Sequence, residues 1–101
     1  MNKRQIAALL VEAIGVFTLV LVVLNVSRYG LPFFTAIAAG VTIAVFYSAF
    51  SKVSGAHLNP AVTLGLFVAR QVSVVRMLAY VAVQALAAVA AWQVYLSLIH
   101  I

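Results

Sequence analysis

The stretch Ser54-Gly55-Ala56-His57-Leu58-Asn59-Pro60-Ala61-Val62-Thr63-Leu64-Gly65 constrains this chain more than any other segment. It reads as the start of a helix, yet it lies among apolar runs that look membrane-embedded. Asn59 is a strong N-cap residue, and Pro60 suits the first helical position, where its missing N–H leaves no bond unmade. Gly55 and the polar residues around it form a non-helical lead-in. Irregular backbone at membrane depth is tolerated only where it is buried in protein or lines a water-filled cavity.

Composition supplies the membrane. The chain has 101 residues, 67% hydrophobic and 7% charged, which excludes disorder and disfavours a soluble domain. It contains no cysteine, so disulfide and thiolate chemistry are absent, and its single acid is Glu12. The net charge of +5 comes from basic residues scattered between apolar runs. They form no patch for nucleic acid and instead flank membrane spans. Lys3 and Arg4 before an apolar run resemble the start of a signal peptide. However, the run from Ile6 to Val26 is too long, carries Glu12 and lacks a small-x-small cleavage site.

Three runs are long enough to cross a bilayer: about 6–24, 33–50 and 77–99. The apolar run Ala61 to Ala69 is different. Nine residues make only ~14 Å of helix, about half of a ~30 Å hydrocarbon core. The segment 53–69 is therefore expected to dip into the membrane and return. Charge placement agrees. A re-entrant 53–69 puts Lys3, Arg4, Lys52, Arg70 and Arg76 on one face and leaves only Arg28 on the other. That bias predicts a cytoplasmic N-terminus. A full crossing would divide the same charges evenly. The predicted fold is all-α: three transmembrane helices plus one re-entrant half-helix, in a single unit. Small residues at Ala36, Gly40, Ala44 and Ser48, and at Ala87, Ala88 and Ala91, form stripes that favour close helix packing.

The twelve residues from Ser54 to Gly65 resemble the first Asn-Pro-Ala loop of the aquaporin, or major intrinsic protein, family. Glu12, Gly40, Tyr80 and Gln84 also match positions the family keeps in its first three spans, so the resemblance runs from about Ile6 to Ala91. It implies half of a fold built from two inverted repeats, whose two half-helix N-termini meet near the midplane. Nothing here resembles the second Asn-Pro-Ala loop. The tail Leu98-Ile99-His100-Ile101 gives the expectation of a truncated sequence, and the chain alone is expected to be inactive without a second half. The implied function is a channel for water or small neutral solutes such as glycerol, excluding ions and protons. The implied assembly is a homotetramer of complete protomers in the plasma (inner) membrane.

The resemblance assigns roles. Asn59, Pro60 and Ala61 form the pore motif. The carbonyls of Gly55, Ala56 and His57 line the path as acceptors. Glu12 and Gln84 brace the loop. Ala39, where the family often has an aromatic, joins Ile43 and Val62 as pore wall, and a small residue there implies a wide mouth. Other roles fit less well. A relay or cation site at Glu12 lacks a second acid, and a metal at His57 has only His100 as another imidazole. No cofactor, catalytic acid–base pair or nucleophile constellation is present, so an enzyme is disfavoured. A non-transporting membrane scaffold and a secondary transporter with broken helices remain alternatives.

Overall fold

A computed structural model describes residues 1–100 and shows four helices and no strand among them. Helix α1 spans Lys3–Ser27, α2 Pro32–Ser54, α3 Pro60–Val68 and α4 Val74–Ile99. Helices α1, α2 and α4 are each long and apolar enough to cross a membrane. At ~1.5 Å per residue they measure about 35–39 Å, whereas α3 reaches only ~14 Å.

Local chemistry sets the boundaries, which differ from the apolar runs. Asn2 caps α1 through a reciprocal box: its Oδ1 accepts from Gln5 N at 2.9 Å, and Gln5 Oε1 accepts from Asn2 N at 3.0 Å. This draws α1 three residues upstream of the apolar run. Helix α2 starts on Pro32 and continues past Phe50 through Ser51, Lys52, Val53 and Ser54. Polar residues do not stop it; Gly55 does, by turning into the left-handed region at φ 87°. Residues 53 and 54 therefore belong to α2, and the irregular segment is only Gly55–Asn59. Ser73 caps α4 by accepting from Arg76 N, so α4 starts at Val74, three residues before Met77.

Helix α1 is the hub. Helix α2 packs along one side of it, α4 along another, and α3 rests on α4. The apolar core is small: Val16, Leu58 and Ala87, with Ala13, Phe17, Leu19, Val20, Phe46 and Ala88 around them. Most large apolar side chains face outward, as lipid-facing spans require. The stripes divide. Ala87 and Ala91 are buried, but Ala36, Gly40, Ala44 and Ser48 are all exposed. A Cβ added at Gly40 would meet nothing within 4 Å. The α2 stripe therefore makes no close packing within this chain; α2 turns Phe46 toward α1 instead.

Candidate functional site: the loop before α3

The buried polar side chains of this protein gather beneath one loop. Glu12, Ser54, His57, Thr63 and Gln84 are all buried, and Tyr80 closes the cluster. Glu12 lies on the hub helix and reaches the loop with both oxygens. Its Oε2 accepts from Ser54 Oγ at 2.7 Å and His57 N at 3.0 Å. Its Oε1 accepts from Leu58 N and Gln84 Nε2, both at 2.9 Å. Four donors and no acceptor surround the group, which is the pattern that an acceptor-only carboxylate requires.

These bonds hold a backbone that would not otherwise persist. Gly55, Ala56 and Leu58 have φ of 87°, 48° and 54°. Left-handed conformations in non-glycine residues cost of order 1–3 kcal/mol each. Hydrogen bonds to a charged group contribute ~1.5–3 kcal/mol each, so the two backbone N–H bonds to Glu12 are of the right size to offset the strain at Ala56 and Leu58. Glycine is needed at position 55 for space as well, since a Cβ there would come within 2.9 Å of His57 Nε2.

The far ends of the loop are tied too. Ser54 O accepts from Tyr80 Oη at 2.7 Å and from Arg76 Nη2 at 3.1 Å, and Ser54 Oγ accepts from Ala56 N at 3.0 Å. Thr63 Oγ1 lies 2.9 Å from His57 Nδ1 and accepts from Gln84 Nε2 at 3.1 Å. The Thr63 hydroxyl has one proton. It goes either to His57 Nδ1 or to Asn59 O, which lies 3.4 Å away, so the histidine tautomer and this hydroxyl are set together. The His57 ring packs on Tyr80 with centroids 4.9 Å apart. Leu58 turns inward over Gly15, where any Cβ would overlap Leu58 Cδ2.

Asn59 behaves differently. Its Oδ1 accepts from Ala61 N at 2.8 Å and caps α3, while its Nδ2 has no acceptor among the described residues. Asn59 and Pro60 are exposed. With Leu58 they line a groove of about 400 Å³ between α1 and α4, walled by apolar residues such as Val16, Val20 and Ala88. Gln84 lines the same groove, and its Oε1 is buried without a hydrogen-bond partner among the described residues.

The structure brings together Glu12, Gln84, His57, Ala56 and Asn59. No described residue donates to the carbonyls of Gly55, Ala56 or His57. Ala61 and Val62 are exposed on the first turn of α3, and Ile43 is exposed on α2. Ala39 lies apart, in a cleft between α1 and α2 with Val23, Ser27 and Thr35. Neither Ala39, Ile43 nor Val62 lines the groove at Asn59. Sequence reasoning did not single out Thr63, Leu58 or Arg76 for this site. Thr63 had a signal: it stands four residues after the N-cap, on the same helix face.

Residues 2–100 match the Major intrinsic protein family. The chain belongs to the major intrinsic protein family. Among its relatives is Aquaporin PIP2-4 of Oryza sativa subsp. japonica, 54% identical over 52 residues, which cover 52% of this chain and 18% of that protein. Aquaporin-1 of Bos taurus and of Homo sapiens are each 45% identical over 56 residues, covering 55% of this chain and 21% of theirs. The aligned part thus spans about a fifth of these relatives. This membership, the all-helical fold and the three apolar spans make the chain an integral membrane protein of a channel family.

Proposed function

We propose that this chain is one half of a membrane pore for water and small neutral solutes, completed by a second half that approaches in the opposite orientation. The observation that carries the reading is the contrast at Asn59: its oxygen caps α3 while its amide donor is left for the groove. A passing water or hydroxyl can accept from that donor. The N-terminus of α3 carries a partial positive charge of ~0.5, which repels cations, hydronium included.

The free carbonyls of Gly55, Ala56 and His57 supply acceptors leading to the same point. The groove beside Asn59 can receive a facing half-helix because its walls are largely apolar. Glu12 and Gln84 are the braces. The complete pores assemble as a homotetramer in the plasma (inner) membrane, with the N-terminus cytoplasmic, and the exposed α2 stripe is a surface along which other spans can pack closely. Ala39, Ile43 and Val62 border the solute path once the second half is in place, and Ala39 leaves room for glycerol.

Stopped-flow swelling of proteoliposomes tests this. The chain alone should leave swelling at the lipid background. With a complementary inverted half it should raise swelling, and Asn59→Ala should lower that gain. Background swelling by the completed pair would overturn the channel reading. Fast swelling by the chain alone would overturn the need for a second half. Ala39→Phe in the completed pair should reduce glycerol flux relative to water; an unchanged ratio would remove the selectivity role.

A further inference from the structure

A second cavity, about 390 Å³, opens between the N-terminal ends of α1 and α4, away from the Asn59 groove. Arg4 and Arg76 line it together with the two N-cap residues, Asn2 and Ser73. Further along the two helices its lining is mostly apolar, with Ala8, Leu9 and Ala79, while Met1 and Val75 add apolar surface beside the arginines. From Arg4 to Leu9 is about 7–8 Å along the helix, so both cations stand at one end of the cleft and an apolar floor lies beyond them.

The electrostatics of this mouth are unbalanced. Helix N-termini favour anions, yet neither α1 nor α4 has an acid in its first turn, and both have an arginine there. The chain's only acidic side chain is Glu12, and all of its hydrogen bonds go to Ser54, the loop and Gln84. Arg4 has no hydrogen-bond partner among the described residues. Arg76 is held in place by its Nη2 bonds to Ser54 O and Tyr80 Oη and lies over the Tyr80 ring, 5.0 Å from its centroid. Its Nε and Nη1 have no partner among the described residues. One guanidinium is therefore pre-positioned, a second stands at the same mouth, and two positive helix ends point the same way.

We propose that this cleft binds the phosphate of an anionic lipid headgroup, with Arg4 and Arg76 as its ligands and the apolar floor under the glycerol backbone. The lipid source follows from location. The mouth sits at the ends of two membrane-spanning helices, where headgroups lie, and the floor suits an amphiphile better than a free ion.

The test is native mass spectrometry of the full chain in non-ionic detergent, titrated with phosphatidylglycerol and phosphatidylcholine of identical acyl chains. The chain should prefer the anionic lipid, and Arg4→Gln and Arg76→Gln should each cut that preference about fivefold, the effect of one basic residue at an anionic surface. Lys52→Gln and Arg70→Gln remove equal charge outside the cleft and should leave the preference intact. Equal loss in all four variants would overturn the site as a mere net-charge effect, as would no preference in the unmodified chain. Soluble glycerol phosphate that binds as tightly as the lipid, with the same arginine dependence, would assign the site to a free phosphate and overturn the lipid. Because Arg76 also ties Ser54, Arg4→Gln decides if Arg76→Gln does not fold.

Discussion

Helices α2 and α4 carry similar small-residue stripes, and α1 packs against both, but only one stripe is used inside the chain. On α4, Ala87 and Ala91 are buried, and Gln84 and Tyr80 on the same helix reach Glu12 and Ser54. On α2 only Ser54, its last residue, is buried, and Gly40 faces open space. Small residues permit close approach, and they yield packing energy only where a partner helix meets them. What distinguishes the α4 side is the polar network. A carboxylate on α1 and an amide on α4 need each other once both leave water, and the loop N–H groups complete the set. Helices α1 and α4 are thus tied together by hydrogen bonds around Glu12, while the stripe face of α2 meets nothing within this chain.

The contrast can be broken most severely at Glu12. Glu12→Leu strands the donors of Ser54, His57, Leu58 and Gln84, at ~1–3 kcal/mol for each unsatisfied group, enough to abolish the fold. Glu12→Gln keeps an acceptor and should lose much less. Denaturant unfolding in detergent, followed by helicity, measures both; a stable Glu12→Leu would remove the brace.

Ala91→Leu forces volume into the fully buried face of α4 and should cost ~1–3 kcal/mol, as core overpacking does. Ala44→Leu, the matching change on the exposed stripe of α2, should stay within ~0.5 kcal/mol in this chain, as for exposed positions generally. Equal effects would erase the difference between the stripes. Tyr80→Phe removes the hydroxyl from Ser54 O and should cost ~1 kcal/mol. Gly15→Ala is milder still, because the atom it meets is the flexible end of Leu58. A double-mutant cycle with Leu58→Ala should recover most of that loss, and additivity would show that the two do not touch.

Much of this organisation was legible in the sequence. Half-length α3, the Asn59–Pro60 start and the three long spans follow from run lengths and capping chemistry alone. The helix ends were less legible, because apolar runs mark the hydrocarbon and not the hydrogen-bonded helix; α2 crosses Ser51 and Lys52 and stops only when Gly55 turns left-handed. The network was half visible. A lone acid in an apolar span demands partners, and the resemblance pointed to Gln84. Thr63 offered only its place on the N-cap face of α3, and Ser54 and Arg76 gave no signal, because a hydroxyl or a flanking arginine fits many environments. The use of the α2 stripe could not be read, since spacing shows that a face can be approached but not what approaches it.

The central claim is that the chain enters the membrane at Gly55 and returns to the same side after α3, leaving Asn59 at depth. The protein has no cysteine, so single cysteines can report its topology directly. In sealed vesicles, Lys52→Cys and Arg70→Cys should react with an impermeant maleimide from one side, and Arg28→Cys from the other. Labelling of positions 52 and 70 from opposite sides would make 53–69 a full crossing and contradict the account.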